Sequence, residues 1–326
     1  MSTPLVTVFG GSGFVGRHVV RQLAKSGARI RVAVRRPNEG LFLKPMGDVG
    51  QIALVQANIR NDASIARAVE GVDIVINLVG VLSEAGRQSF AAVHAKGAER
   101  VAVAAAAAGV KKFVHLSAIG ADAQSASGYQ SSKARGEMAV REHMPGAVIL
   151  RPSVIFGPED DFFNRFGALA RISPFLPLIG GGHTRFQPVY VEDVANAVMQ
   201  VLERSEAAGQ TYELGGPDVV SFREIMEKVM TVTGRRRLLV PLPFFIARIQ
   251  GWFLQLLPNP LLTVDQVRML EKDNVVADQA KTFDDLGLIP EAMDVVIPSY
   301  LYRFRKHGQF DGPGYVTAIS KSGQNI

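Results

Sequence analysis

The chain has 326 residues, of which 47% are hydrophobic and 20% charged, enough for one or two packed domains and incompatible with global disorder. It contains no cysteine, which excludes disulfides, thiolate metal sites and a cysteine nucleophile. The formal net charge of +6 points to an acidic partner, but the basic clusters Arg35-Arg36, Arg235-Arg236-Arg237 and residues 303–307 come with no nucleic-acid motif, so no nucleic acid is expected.

The first element is a short apolar strand over residues 5–9. Gly10-Gly11-Ser12-Gly13-Phe14-Val15-Gly16 follows directly, then a helix over 17–26. Glycines at 10, 13 and 16 make a tight strand-to-helix turn whose backbone can approach a pyrophosphate closely. The free N–H groups and dipole of the helix N-terminus favour that anion, so the pattern predicts a dinucleotide site. No leader segment is read ahead of the strand, and no apolar run reaches the roughly 20 residues needed to span a bilayer.

Further apolar runs fall at 30–34, 52–55, 74–78, 113–116 and 147–150, with helical stretches between them, notably 64–69 and the alanine-rich 91–108. Continuous apolar strands alternating with helices predict an α/β fold, a doubly wound parallel sheet covered on both faces. The second strand ends in Arg35-Arg36 with no acidic residue at 33–36. A carboxylate there would bind the 2′-hydroxyl of NAD, whereas arginine suits the 2′-phosphate of NADP, so NADP is favoured. Asn77-Leu78-Val79-Gly80 closes the fourth strand, the glycine leaving room for close approach. Tyr129 and Lys133, four apart, share a helix face, where the ammonium is expected to lower the phenol pKa from about 10 as acid–base work requires.

After Arg151-Pro152 the pattern loosens around Gly157-Pro158, Ser173-Pro174 and Gly180-Gly181-Gly182. Glu159-Asp160-Asp161 reads as a helix-start charge cluster. A helix opens after Val189 and runs to Leu202, and capping boxes are read at Ser221 with Glu224 and at Thr263 with Gln266. These divisions predict a nucleotide-binding domain over 1–155 with returns near 187–212. A smaller, partly interleaved domain follows over 156–300, with an extended tail over 301–326. The six histidines show no metal spacing; no metal site is expected, and His94 and His115 are read as helix and strand residues.

The residues Gly10, Gly13, Gly16, Asn77–Gly80, Ser117 and Tyr129-xxx-Lys133, in that order, resemble the short-chain dehydrogenases in their extended and atypical forms. The stretches from Tyr129 to Glu137, from Arg151 to Asn164 and from Gln187 to Ala195 are similar to one atypical branch. That branch contains the dehydrogenase-like accessory subunit of respiratory complex I. The resemblance spans about residues 4–300. It implies a Rossmann fold, NADPH as ligand and complex I subunits as partners. It also implies a peripheral position, on the cytoplasmic face of a bacterial inner membrane or the matrix face of a mitochondrial one.

Carried onto this chain, the resemblance implies that Gly10, Ser12, Gly13, Phe14, Val15 and Gly16 surround the pyrophosphate. Arg35 and Arg36 would meet the 2′-phosphate, and Asn58 and Ile59 would lie on the adenine side. Val79, Gly80, Ser117, Tyr129, Lys133, Pro152, Val154 and Ile155 would line the remaining cofactor path, with Tyr129, Lys133 and Ser117 as the catalytic candidates. Two departures stand out. Ala118 occupies the position where the extended enzymes carry an assisting hydroxyl, and Asn58 replaces a usual aspartate. The resemblance therefore implies holding of NADPH with little independent turnover. The alternative is an NADP-dependent oxidoreductase or epimerase on a small molecule such as a quinone precursor.

Residues 244–257 form a fourteen-residue apolar helix with Arg248, Gly251 and Gln255 in one narrow stripe. At roughly 21 Å it is too short to span a bilayer. Its pattern fits a core helix and a membrane-interface helix equally, and the resemblance favours the interface, with Arg235-Arg236-Arg237 near lipid headgroups.

Overall fold

The computed structural model describes residues 3–257 and 260–308. Strands β1 (Leu5–Phe9), β2 (Arg29–Val34), β3 (Ile52–Gln56), β4 (Ile74–Asn77), β5 (Lys112–Leu116) and β6 (Val148–Pro152) alternate with four helices. These are α1 (Phe14–Lys25), α2 (Asp62–Val69), α3 (Lys96–Ala107) and α4 (Gly128–His143). The second part of the chain adds β7 (Ile155–Phe156), α5 (Phe162–Ile172), β8 (Phe175–Ile179), β9 (Arg185–Phe186), β10 (Val189–Tyr190), α6 (Val191–Glu203) and β11 (Thr211–Leu214). It continues through β12 (Val220–Ser221), α7 (Phe222–Thr233), β13 (Leu238–Leu242), α8 (Phe244–Leu254) and α9 (Val264–Met269), and closes with short turns α10 (Met293–Val296) and α11 (Pro298–Leu301).

Seven of the strands form one parallel sheet in the order β11-β6-β5-β4-β1-β2-β3, the predicted doubly wound arrangement. Period-2 alternation splits its side chains between two cores. Val6, Val8, Val32, Ile76, Val114 and Leu150 face α1 and α6, while Phe9, Ala33, Val75, Phe113 and Ile149 face α2, α3 and α4. The chain order reverses between β1 and β4, where Val8 lies between Val32 and Ile76 in register. In such a sheet the carboxyl ends of the strands at this switch point leave a ligand crevice.

Alanines in α3 allow close helix packing, with Ala98, Ala102 and Ala105 buried beside Val101. Gly136 of α4 serves the same end, since a Cβ there would overlap the His94 carbonyl. The smaller core is built from α5, β8, β9, α7, α10 and α11. The chain division is more interleaved than the sequence pattern predicts. Phe283 and Leu286 return to the first core beside α6. The expected extended tail from 301 starts as packed structure: Leu301 is buried, and the Arg235 Nε donates to the Phe304 carbonyl at 2.9 Å. The rest of that tail, 309–326, lies outside the described residues.

Candidate functional site

The glycine turn sits at the switch point, with α1 beginning earlier than its apolar pattern suggests. Gly13 is the N-cap, its own N–H donates to the Gly10 carbonyl at 3.0 Å, and Arg17 N–H donates to the Gly13 carbonyl at 3.1 Å. The amides of Phe14, Val15 and Gly16 thus form the free first turn of the helix. Gly10 has φ +80°, and a Cβ there would lie 3.0 Å from the Leu78 backbone on β4's far side of the crevice. Gly16 is buried, and a Cβ on it would overlap the Gly10 carbonyl oxygen and lie 2.5 Å from the Gly11 Cα. Glycine at 10 and 16 is thus required by the turn's own packing on the end of β4 and on α1, and that packing holds the first-turn amides together at the crevice. Gly11, not singled out by the spacing, is also constrained: a Cβ there would lie 2.6 Å from Val32 Cγ1.

At the end of β2, Arg35 and Arg36 part company. Arg36 pairs with Glu39 at 2.7 Å on the surface, while Arg35 donates to Gln88 Oε1 at 2.6 Å and lines a cleft of about 290 Å³. Gln56, Ala57, Asn58, Asn61, Ser64 and Arg67 complete this cleft. Asn58 uses its Oδ1 to accept from Arg60 N–H at 3.0 Å, and Ile59 packs against Gly97 of α3.

The tyrosine–lysine pair lies beyond β4 and β5. Lys133 Nζ donates to the Leu116 carbonyl at 3.0 Å and lies 5.9 Å from the Tyr129 ring centroid. Gly80 faces it; a Cβ there would lie 3.4 Å from Nζ. Burial pulls Lys133 down to about 8. The phenol goes the other way from the sequence expectation: burial first, and then the Asp265 carboxylate, push Tyr129 up to about 12. At neutral pH the phenol is therefore held protonated, because loss of hydration outweighs the ammonium, which is engaged by a carbonyl. The Tyr129 ring is enclosed edge-on by Phe90 and His94.

Two site residues were invisible to spacing arguments. His94 lies in a wide turn, Ala91–Ala95, ahead of α3; such π-type turns occur often at functional sites. Its Nε2 accepts from Val81 N–H at 3.0 Å, so the proton sits on Nδ1, 3.0 Å from Ser132 Oγ. Asp265 of α9 reaches from the smaller domain to cap α4. It accepts from Gly128 N–H at 2.6 Å, Tyr129 N–H at 3.2 Å and Ser127 Oγ at 2.9 Å. Ser117 is buried with its hydroxyl oxygen unpartnered among the described residues, and Ala118 follows it. Pro152 ends β6, Val154 and Ile155 are half-buried beside it, and Val189 N–H donates to the Val154 carbonyl at 3.0 Å. Asp160 belongs to the fold, accepting from Tyr300 Oη at 2.7 Å and from Asn164 N–H at 3.1 Å.

Burial holds His94 down to about 2 and His115 down to about 3, with Lys133 the next cause for each. Both are neutral in the fold, whereas an unfolded histidine protonates near 6.5. Below that pH the unfolded chain binds protons the fold does not, so stability is full above pH 6.5 and falls as pH drops, by up to ~1.4 kcal/mol per pH unit per histidine. Asp193, raised to about 6 by burial, contributes in the opposite sense over the same range, so the histidine part is read as a difference: urea titrations between pH 6.0 and 4.5 should give a slope in wild type that His115→Asn shifts by one histidine's share. An unchanged slope in that variant contradicts the assignment.

Helix α8 resolves the ambiguity left by its pattern. Its small residues Ala247 and Gly251 are buried, Gly251 against the Thr263–Val264 backbone, and Arg248 pairs with Glu271. The apolar residues point outward: Phe245 is 63% exposed, Ile249 57%, Trp252 55% and Phe253 60%. The helix therefore packs one narrow face on a small core with Ile179 and Val267 and leaves its aromatic face at the surface. Among the described residues no helix is long and apolar enough to cross a membrane, and no His/Cys/Asp/Glu group could hold a metal ion.

Residues 6–215 match the model of the NAD dependent epimerase/dehydratase family. The chain is 36% identical, over 97% of its length and 81% of the relative's, to NADH dehydrogenase [ubiquinone] 1 alpha subcomplex subunit 9, mitochondrial, of Arabidopsis thaliana. It is 32% identical, over 73% of its length and 74% of the relative's, to a ceramide reductase of Caulobacter vibrioides. In fold it is similar to DesIV, a dTDP-glucose 4,6-dehydratase from Streptomyces venezuelae solved with NAD and TYD bound. That likeness has a TM-score of 0.71 at 21% identity and covers 92% of this chain and 96% of the other. The glycine cradle at the switch point, the Tyr129–Lys133 pair and these matches agree: the chain belongs to the NAD-dependent epimerase/dehydratase family, in the group that includes the alpha subcomplex subunit 9 proteins.

Proposed function

We propose that this protein is an NADPH-holding accessory subunit of respiratory complex I, peripheral to the membrane, with little turnover of its own. The observation that carries the reading is the 36% identity to subunit 9 over 97% of the chain, which extends through the smaller domain as well as the nucleotide half. The site's residues fit a dinucleotide. The first-turn amides Phe14 to Gly16 would hold the pyrophosphate, on a turn whose tight packing needs glycine at 10 and 16, with Ser12 and Gly13 on the same turn. Arg35, in a cleft lined by no carboxylate, would hold the 2′-phosphate. Asn58 and Ile59 would flank the adenine. Val79, Gly80, Ser117, Tyr129, Lys133, Pro152, Val154 and Ile155 would follow the nicotinamide half. Arg36, engaged by Glu39, is left to the surface.

Bound NADPH supplies a transferable hydride. Tyr129, pushed up to about 12, keeps the proton that reduction of a carbonyl would need, so the limit lies elsewhere: Ala118 offers no hydroxyl to a substrate carbonyl. That missing hydroxyl supports holding over turnover. The outward face of α8 supports a docked position, with Phe245, Ile249, Trp252 and Phe253 against membrane surface or a neighbouring subunit. The reading places the protein on the cytoplasmic face of a bacterial inner membrane, or the matrix face in a mitochondrion. Solubilised native membranes run on a native gel should show the protein co-migrating with NADH:ubiquinone oxidoreductase activity. A partner-free monomer would sink the proposal.

The retained Tyr129 and Lys133 favour one second reading, an NADP-dependent oxidoreductase or epimerase acting on a small molecule such as a quinone precursor. Single-turnover oxidation of bound NADPH by candidate carbonyls and quinones, abolished in Tyr129→Phe, is its signature; no oxidation with any of them rules against it.

A further inference from the structure

Resting on the NADPH reading above, we propose that Arg67 of α2 is a second cation for the 2′-phosphate, so that Arg35 and Arg67 together set the preference for NADPH over NADH. The two arginines line one cleft of about 290 Å³ with Gln56, Asn58, Asn61 and Ser64, and no carboxylate lines it. Two guanidiniums lining one cleft with no carboxylate among its lining residues offer two positive charges to an anion placed between them.

Charge counting selects Arg67. A phosphomonoester carries about −1.5 to −2 at neutral pH, so a single guanidinium leaves it undercompensated. Arg35 already gives one N–H to Gln88 Oε1. Arg36 is committed to Glu39 at 2.7 Å and does not line the cleft. Arg60 donates to the Arg87 carbonyl at 2.8 Å; of the acids flanking α2, Asp62 is taken by Arg100 at 3.2 Å, and Glu70, three residues after Arg67, neither lines the cleft nor pairs with Arg67 among the described residues. Arg67 alone lines the cleft with no ion pair or hydrogen bond among the described residues.

The local fold fixes where Arg67 stands. Asn58 N–H donates to Ser64 Oγ at 3.0 Å, and Asn61 Oδ1 accepts from Ser64 N–H at 2.9 Å, which pins the first turn of α2 to the loop after β3. Arg67 follows Ser64 by three residues and so shares its helix face, one turn further from the loop. A phosphate reached by Arg35 from β2 and by Arg67 from α2 would be gripped from two separate elements. That geometry distinguishes a phosphomonoester from the bare hydroxyl of NADH by charge as well as by fit.

The test is calorimetric titration of nucleotide-free, full-length protein with NADPH and with NADH. Arg67→Gln should weaken NADPH about tenfold, leave NADH within about twofold and leave the melting temperature unchanged, with Arg67→Lys recovering part of the loss. Unchanged NADPH affinity in Arg67→Gln, or equal losses for NADPH and NADH, overturns the role of Arg67; if Arg35→Gln still weakens NADPH selectively, the NADPH reading itself stands. Equal affinity of the wild-type protein for the two nucleotides, unmoved by Arg35→Gln, overturns both.

Discussion

Glu137→Gln should cost about 3–5 kcal/mol of stability, the range for breaking a buried ion pair by removing one partner. The Glu137 side chain is 2% exposed and receives Arg151 in a two-pronged grip, Nε to Oε1 at 2.9 Å and Nη2 to Oε2 at 2.7 Å. Arg141 adds a contact at 3.4 Å, and Arg151 reaches on to Glu213 at 3.4 Å. Glu213 in turn accepts from Ala277 N–H at 3.0 Å. The network therefore ties α4, β6, β11 and the segment at 277 together beneath the site. A glutamine keeps the shape but turns an amide N–H₂ toward the guanidinium and leaves Arg151 one acceptor from position 137 and the longer contact to Glu213. Urea unfolding should show a lower midpoint with an unchanged slope. Replacing both partners, as in Glu137→Leu with Arg151→Met, should recover part of the loss, because the guanidinium is no longer left facing an amide, although Glu213 then loses its cation and keeps only the Ala277 N–H. A single-variant loss under about 1 kcal/mol would show that the pair is not the anchor of α4. Since Lys133 stands one turn before Glu137, loosening this anchor should also disturb the Lys133–Leu116 contact.

Gly16→Ala is the second large effect, and it separates two roles of glycine in one turn. The added Cβ would overlap the Gly10 carbonyl and crowd the Gly11 Cα, both backbone atoms that no rotamer change can clear. Helix α1 must move away from the turn, at the roughly 1–3 kcal/mol typical of overpacking. The same movement withdraws the Phe14–Gly16 amides from the phosphate. Each charge-assisted hydrogen bond lost weakens nucleotide binding by about 10- to 100-fold. Gly13→Ala is the control. Gly13 has φ −76°, and its added Cβ would meet only the Gly10 carbonyl, at 3.2 Å, so the fold should survive with its melting temperature within a few degrees. Thermal melts and NADPH titrations of the two variants decide the matter; a Gly16→Ala protein that melts and binds like wild type would contradict the close approach.

What the sequence carried by itself was everything written in short range. Strand–helix alternation, the GxxGxxG turn and the capping boxes at Ser221 and Thr263 depend on neighbours within a few residues, and all appear where the pattern puts them. The division of each strand's side chains between two cores follows from period 2 alone. The stretches that carry the branch resemblance, 129–137 and 151–164 among them, were readable as words. That Glu137 and Arg151 grip each other was not, because register between α4 and β6 is set by the whole sheet.

Tertiary structure decided the rest, for the same reason each time: a side chain's environment is made by distant segments. Spacing placed Lys133 beside Tyr129 and suggested an easily ionised phenol. Burial and Asp265, 136 residues away, reverse that and keep it protonated. The pattern of 244–257 fitted a core or an interface equally, until α9 took the small residues Ala247 and Gly251 and left the aromatic face of α8 outside. Arg35 and Arg36 looked alike in the sequence, and only the neighbouring Glu39 and the cleft beside α2 tell them apart. A local pattern can state that a backbone will cradle a phosphate, since the cradle is local. Whether the groups around it hold or release a proton depends on water being excluded by residues far along the chain, which only the assembled fold determines.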